Sequence, residues 1–403
     1  MHPYPDGAMR CAASVGVMRD VSVRRAALTT AAVFAVNGTC WGSFVGRIPD
    51  VQARLRLSDG RLGLVLLAMT AGAFLGIRAM PLLVRRIGLR RTVMASAVLM
   101  PVVLGAEAAA LQHRSVTAMV VALGLSGLAA GALDGSMNVH AVVVEARRGT
   151  AVMSRMHASF SIGALAGSAV AGLLASHGVT VAAAFRGSSA VIVVAALTVL
   201  PGLLPDGPLP TDRDAAESGV RRFSATVVLL AAVMLVCFMT EGATADWSAV
   251  LMHRERHAST GLATSGYVAF NVAMTVFRLL GDHTTTRFGR VAVLRWGGLL
   301  AAGSLAAAAL VPSAAVAAVA FGTLGVGLAT LVPVMFSVSG ERGEKALADV
   351  GSAGYVGLMA GPPVIGALSE LIGLAWALVV PAALLTLVAF AASRAVPARS
   401  LRG

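Results

Sequence analysis

The chain has 403 residues, of which 57% are hydrophobic and only 13% charged. A soluble domain draws on about 25% charged residues for its surface, so this composition excludes a soluble globular enzyme and fits a chain facing lipid, which makes no demand for charge. The formal net charge of +13 would suit nucleic acid, but its distribution along the chain assigns it elsewhere.

Residues 1–25 are polar, carry Arg10, Arg19, Arg24 and Arg25, and lack the apolar core of a cleavable signal. They are expected as a disordered cytoplasmic tail. A spanning helix needs about 20 mostly apolar residues. Twelve segments qualify, near 26–46, 62–83, 92–111, 116–138, 156–176, 179–200, 224–245, 260–281, 291–311, 314–336, 351–371 and 374–393. The polar stretch 205–222 cannot span and divides them six and six. The expected organisation is therefore an N-terminal bundle (26–204), a cytoplasmic linker (205–222), a C-terminal bundle (223–395) and a short tail (396–403).

In the first span Asn37, Trp41 and Phe44 form one helical stripe. In the fourth, Gly127, Gly131, Asp134, Asn138 and Glu145 share a face. An Asp at a helix centre costs about 2.5–3.5 kcal/mol on insertion scales, and such groups persist where they line a cavity or hold a partner. Asp134 reads either as a proton-coupling carboxylate or as a structural hydrogen-bonding group. Glu145, beside Arg147 and Arg148, reads as a salt-bridging residue at the mouth. The fourth and fifth spans form a hairpin that puts His157 at the depth of Asn138. His157 is a candidate for solute binding or proton relay, or a satisfied buried histidine; His140 lies nearer the cytosol and ranks below it.

Glu241 interrupts the apolar seventh span and is a second candidate proton or solute site. Asp246 and Trp247 follow as interfacial anchors. In the eighth span Tyr267, Asn271 and Arg278 share a stripe, and Arg278 with Asp282 is an i, i+4 pair expected to act as a gate. In the eleventh, Pro362 and Pro363 remove backbone donors and should kink the helix. Cys11, Cys40 and Cys237 are scattered, which offers neither a disulfide framework nor metal spacing. No P-loop is present, and no cofactor or metal is expected.

With both termini placed in the cytoplasm, 22 Lys and Arg residues fall on the inner side against 8 on the outer. This is the bias of a polytopic membrane protein, and it removes nucleic acid as a partner. The halves also repeat. Gly163, Gly167 and Gly172 match Gly357, Gly361 and Gly366 at an offset of 194, Arg86 and Gly88 match Arg287 and Gly289 at 201, and Trp41 matches Trp247 at 206. Both halves start on the same side, so the repeat is parallel, and a substrate site is expected between them near mid-depth.

These features resemble the major facilitator superfamily over residues 26–395. The loop VRRIGLRR (84–91) is similar to its G-x-L-A-D-R-x-G-R-R pattern, with Arg85 in place of the Asp and Pro81 in place of the first Gly. The second copy, 278–290, carries Asp282, Arg287, Gly289 and Arg290. The resemblance implies gating roles for Arg86, Gly88, Arg287 and Gly289, and places Asn37, Trp41 and Asn271 at the cavity. Asp134 followed by Asn138 is similar to the fucose-permease-like branch, in which the acidic residue is implicated in proton-coupled sugar uptake.

The expected fold is an all-α membrane protein of twelve helices in two pseudo-symmetric bundles. The expected function is secondary active transport of a small polar, sugar-like solute with protons, by alternating access, in a monomer of the bacterial inner membrane. The alternative is a proton-driven drug or metabolite efflux antiporter. Against it, Ser168 follows Gly167 where antiporters place Pro, and the fourth span lacks their Arg. A sensor needs an output domain that the short linker cannot supply.

Overall fold

A computed structural model describes residues 6–57, 59–206, 225–258 and 265–395. The expected linker is therefore described only to Asp206; the rest of it, and the tail 396–403, lie outside the described residues.

In the first half the helices are α1 (Asp6–Val45), a short α2 (Ile48–Leu55), α3 (Asp59–Ile87), α4 (Leu89–Gln112), α5 (Val116–Arg148), α6 (Met153–Ser176) and α7 (Val181–Val199). In the second they are α8 (Ala225–Val250), α9 (Ser265–Phe288), α10 (Arg290–Leu310), α11 (Ala314–Leu328), α12 (Leu331–Gly340), α13 (Glu344–Ile372) and α14 (Leu374–Ala395). No strand occurs among the described residues, as expected where lipid leaves backbone groups no partner but their own helix.

Among the described residues, ten helical stretches are long and apolar enough to cross a bilayer, one of them running through α11 and α12. An eleventh is α13, which is bent by 42° between Gly361 and Pro363, where proline removes the backbone donors. The twelfth expected span is α9, which has the length, at 24 residues, but not the apolarity. Its Arg278, Asp282 and Arg287 lower its hydropathy, and the first two are buried against the other half rather than turned to lipid.

Three boundaries differ from expectation. Helix α1 begins at Asp6, so the backbone from there to residue 25 is helical rather than an irregular tail. Helix α5 continues ten residues beyond 138 to Arg148, ending where Gly149 adopts φ 66°. The tenth span is divided at Ala329 and Thr330.

The halves are built alike. In the first, α1 packs on α6, α3 on α5 and α4 on α7; in the second, α8 packs on α13, α9 on α11 and α10 on α14. The repeated glycines explain the closeness of one such pair. A Cβ on Gly163 would lie 2.2 Å from the Ala35 carbonyl oxygen, and one on Gly357 would lie 2.1 Å from that of Leu235. Small residues let backbones meet where lipid supplies no hydrophobic drive between helices. The halves meet along α6 with α9 and α3 with α13, again a symmetric pair.

Candidate functional site

The face carrying Arg85, Arg86, Arg90, Arg147 and Arg287 is the arginine-rich face. Gly88 and Gly289 start α4 and α10 there with φ of 89° and 81°, which L side chains rarely adopt. This explains why the repeat keeps glycine at both points. Arg86 and Arg287 are exposed, and the Arg287 guanidinium lies 5.7 Å from the Phe288 ring centroid.

Between the halves lies a cavity of about 270 Å³. A chain of polar side chains runs along it, of which His157, Asp134 and Tyr355 line the cavity while Asn138 is fully buried and does not. His157 Nε2 lies 3.2 Å from Asn138 Oδ1. Because that oxygen can only accept, the proton sits on Nε2. The Asn138 amide donates to the Asp134 backbone oxygen at 2.8 Å and to its Oδ1 at 3.2 Å. From the second half, the Tyr355 hydroxyl donates to Asp134 Oδ2 at 3.4 Å. His157 is fixed by aromatic neighbours: it stacks on Phe336 at 5.6 Å and meets Phe34 edge-on at 5.4 Å. The helical spacing of 134 and 138 was legible in the sequence; Tyr355 and Phe336, which come from the other half, were not.

Also on the cavity wall, Glu241 on α8 faces Arg278 on α9, with 3.6 Å between Oε1 and Nη2. Arg278 Nη1 also donates to Ser161 Oγ of α6 at 3.0 Å. The pair is loose: Glu241 Oε1 and Arg278 Nε are buried without a hydrogen bond. Arg278 and Asp282 do not pair with each other. Arg278 lines the cavity, while Asp282 points to α6. A single helix has several faces, and residues four apart are brought side by side only if neither meets a stronger partner on another helix.

Asn37 and Trp41 line the cavity from α1. The Asn37 amide finds only the Met137 sulfur, at 3.8 Å, and Trp41 is 39% exposed. Asn271 is exposed, donates to the Tyr267 carbonyl at 2.9 Å, and is not among the cavity-lining residues.

The halves are joined at the arginine-rich face. Asp282 Oδ1 accepts the Ser154 N–H at 2.8 Å, and Oδ2 accepts the backbone N–H and Nε–H of Arg155 at 3.1 and 2.8 Å. The second half thus caps a first-half helix, where unpaired N–H groups favour a carboxylate. Glu145 does the same from within the first half, accepting the Val152 and Met153 N–H groups at 2.9 and 3.3 Å. It also binds Ser337 and Arg290 of the second half, and Arg290 reaches on to Glu341 at 2.7 Å. A third link is the Arg78–Asp349 ion pair. These three inter-half ion pairs all lie on this side of the cavity.

At the same face Arg85 occupies the position of the pattern's aspartate. A carboxylate arrives instead from the end of the first half: Asp206 Oδ1 accepts the Arg90 N–H at the start of α4, at 2.8 Å. The segment before it is anchored by His140, whose Nε2 accepts the Leu204 N–H at 3.2 Å while Nδ1 lies 3.0 Å from Thr30 Oγ1. His140 is thus a satisfied structural residue.

Comparison with known proteins agrees with this architecture. Residues 30–343 match the Major Facilitator Superfamily. An uncharacterised MFS-type transporter of Yersinia pestis is 31% identical over 386 residues, covering 94% of this chain and 96% of its own. Membrane protein MosC of Rhizobium meliloti is 29% identical over 387 residues, covering 94% and 92%. Among solved structures, FucP in the outward conformation aligns with a TM-score of 0.76 at 16% identity, over 93% of this chain and 100% of that one. The human organic anion transporter MFSD10 aligns at 0.75 and 15% identity, over 92% and 99%. With the family pattern spanning most of its length and both six-helix halves in place, the chain belongs to the major facilitator superfamily, the multi-pass membrane transporters.

Proposed function

We propose that this protein is a proton-coupled permease for a small polar, sugar-like solute, working by alternating access in the bacterial inner membrane with the arginine-rich face and both termini in the cytoplasm. The observation that carries the reading is the unbroken polar chain from His157 through Asn138 to Asp134 and Tyr355, beside a cavity whose wall combines aromatic and apolar groups with Asn37, Thr70, Glu241 and Arg278. Such a site suits a hydroxyl-rich ligand: aromatic faces stack on its apolar patches, while a few fixed donors and acceptors set its orientation.

In this reading Asp134 takes up the proton. Its oxygens accept hydrogen bonds from Asn138 and Tyr355 when ionised; once it is protonated, one oxygen becomes a donor and the contact with Tyr355 across the halves must rearrange. Protonation is thereby linked to the one hydrogen bond from the carboxyl that joins the halves. The Glu241–Arg278 pair, in which Glu241 Oε1 and Arg278 Nε make no hydrogen bond, rearranges to engage solute hydroxyls in this reading, with Asn37 and Trp41 completing the wall. In this reading Arg155, Asp282, Glu145, Arg290, Arg78 and Asp349 form the cytoplasmic gate, and breaking their inter-half contacts opens the cavity to the cytoplasm. E. coli FucP is a fucose:proton symporter and XylE a proton:xylose symporter; their likeness supports the solute class.

The test is uptake of labelled monosaccharides into proteoliposomes with and without an inward proton gradient. Accumulation that requires the gradient is expected. Gradient-driven expulsion of cationic dyes, with no sugar uptake, would establish the efflux alternative instead.

A further inference from the structure

Glu107 lies inside α4, with two turns of apolar or small side chains before it (Met100–Ala106) and Ala108–Leu111 after it. Its side chain is 1% exposed, and neither carboxyl oxygen has a hydrogen-bond partner among the described residues. Among the described residues, no cation lies within ion-pair distance from α1, α2, α3, α5 or α7, the helices packed on α4. Two of the arginines near that end of α4 are engaged elsewhere: Arg54 of α2 donates to the Leu111 carbonyl at 3.1 Å, and Arg186 of α7 to Gln112 at 3.1 Å. The polar groups that face Glu107 are Ser126 of α5 and the thiol of buried Cys40 of α1.

A bare carboxylate in such a place gives up its hydration, with no cation and only the Ser126 hydroxyl to offset the loss. A neutral acid does not. It also has an O–H to give, and Ser126 Oγ has lone pairs to receive it.

We propose that Glu107 is a second proton-binding site, loaded in this conformation and separate from the cavity carboxylates Asp134 and Glu241. It lies seven residues, about 10 Å along the helix, from Met100 of the cavity wall, and behind α1, whose Trp41 faces the cavity next to Cys40. The proton packs α1 against α4 and α5; its release needs those helices to part and admit water. The site stands on its own geometry, and only its use in transport rests on the proton-coupled reading above.

Infrared spectroscopy of the full chain reconstituted in lipid tests this. The wild type should show a carboxylic-acid C=O band that is lost in Glu107→Gln and retained in Asp134→Asn and Glu241→Gln. Ser126→Ala should move that band to higher frequency by removing its hydrogen-bond acceptor. Loss of an ionised carboxylate band in Glu107→Gln, with the acid region unchanged, would overturn the proposal. If Glu107→Gln does not fold, Ser126→Ala decides, and an unmoved acid band there overturns it equally. Because no transport is measured, these outcomes are independent of whether the protein carries protons or sugar.

Discussion

The Asp282 carboxylate holds Arg155 twice, through its backbone N–H at 3.1 Å and its Nε–H at 2.8 Å. One residue of the second half thereby fixes the start of α6 in the first. Asp282 is buried while Arg155 is half exposed, so the backbone contacts carry more of the energy than the ion pair, which water screens.

Replacing Asp282 by Asn keeps the size but removes the charge from these bonds. Charge-assisted hydrogen bonds are worth about 1.5–3 kcal/mol against about 1 for neutral ones, so the closed gate should lose about 1 kcal/mol or more. The population open at the arginine-rich face should rise by roughly five- to tenfold. Spin labels on the loops after α3 and α9, read by pulsed electron resonance distances, would register the longer separation. An unchanged distance distribution would assign the closure to Glu145–Arg290 instead.

Asp134→Asn should abolish accumulation driven by a proton gradient while leaving gradient-free solute exchange. The amide still bonds Asn138 and Tyr355 but cannot carry the proton. Counterflow and gradient-driven uptake measured on the same vesicles separate the two. Equal gradient-driven uptake in wild type and variant would remove Asp134 from the coupling step.

Glu241 and Arg278 should behave as a couple. Removing one partner leaves the other charge buried and uncompensated, a loss of about 3–5 kcal/mol for a well-buried pair. Because Glu241 keeps some access to the cavity, the lower end is expected here. Arg278→Gln or Glu241→Gln alone should lower the melting temperature in detergent, and the double variant should recover most of it without recovering solute binding. Additive losses in the double variant would show that the two residues do not sense each other.

Gly163→Ala and Gly357→Ala should destabilise their halves to similar degrees. Each places a Cβ about 2 Å from a carbonyl oxygen of a facing helix, and the backbone must yield because no flexible side chain is there to move. Overpacking of this kind costs about 1–3 kcal/mol. Differential scanning fluorimetry would read the loss. Near-neutral results would mean that the helix pairs separate easily, which the parallel design of the halves argues against.

Some of this is local and therefore visible along the chain. Apolar length marks a span because lipid leaves no other way to satisfy the backbone, so the spans and the six-and-six division follow from the order of residues. So does the shared face of Asp134 and Asn138, because a helical turn brings residues four apart together whatever surrounds them. The glycine repeat and the glycines at 88 and 289 are likewise backbone requirements that travel with the sequence. What a helical turn does not specify is the neighbour each face meets. Arg278 stood four residues from Asp282, yet the fold gave it Glu241 and Ser161 and sent Asp282 to the start of α6. Glu145, beside two arginines in sequence, found its arginine at Arg290 in the opposite half. Glu107 drew no notice among apolar residues, and only the packing of α1 and α5 around it shows that its carboxyl meets no cation. Asp206 supplies from the far end of the first half a carboxylate that the loop after α3 lacks. Arg155, Arg290 and Arg90 each lie more than 50 positions from the carboxylates that hold them, and the choice was made by how the helices pack, because charge and hydrogen bonding in a low-dielectric interior reward the nearest group in space.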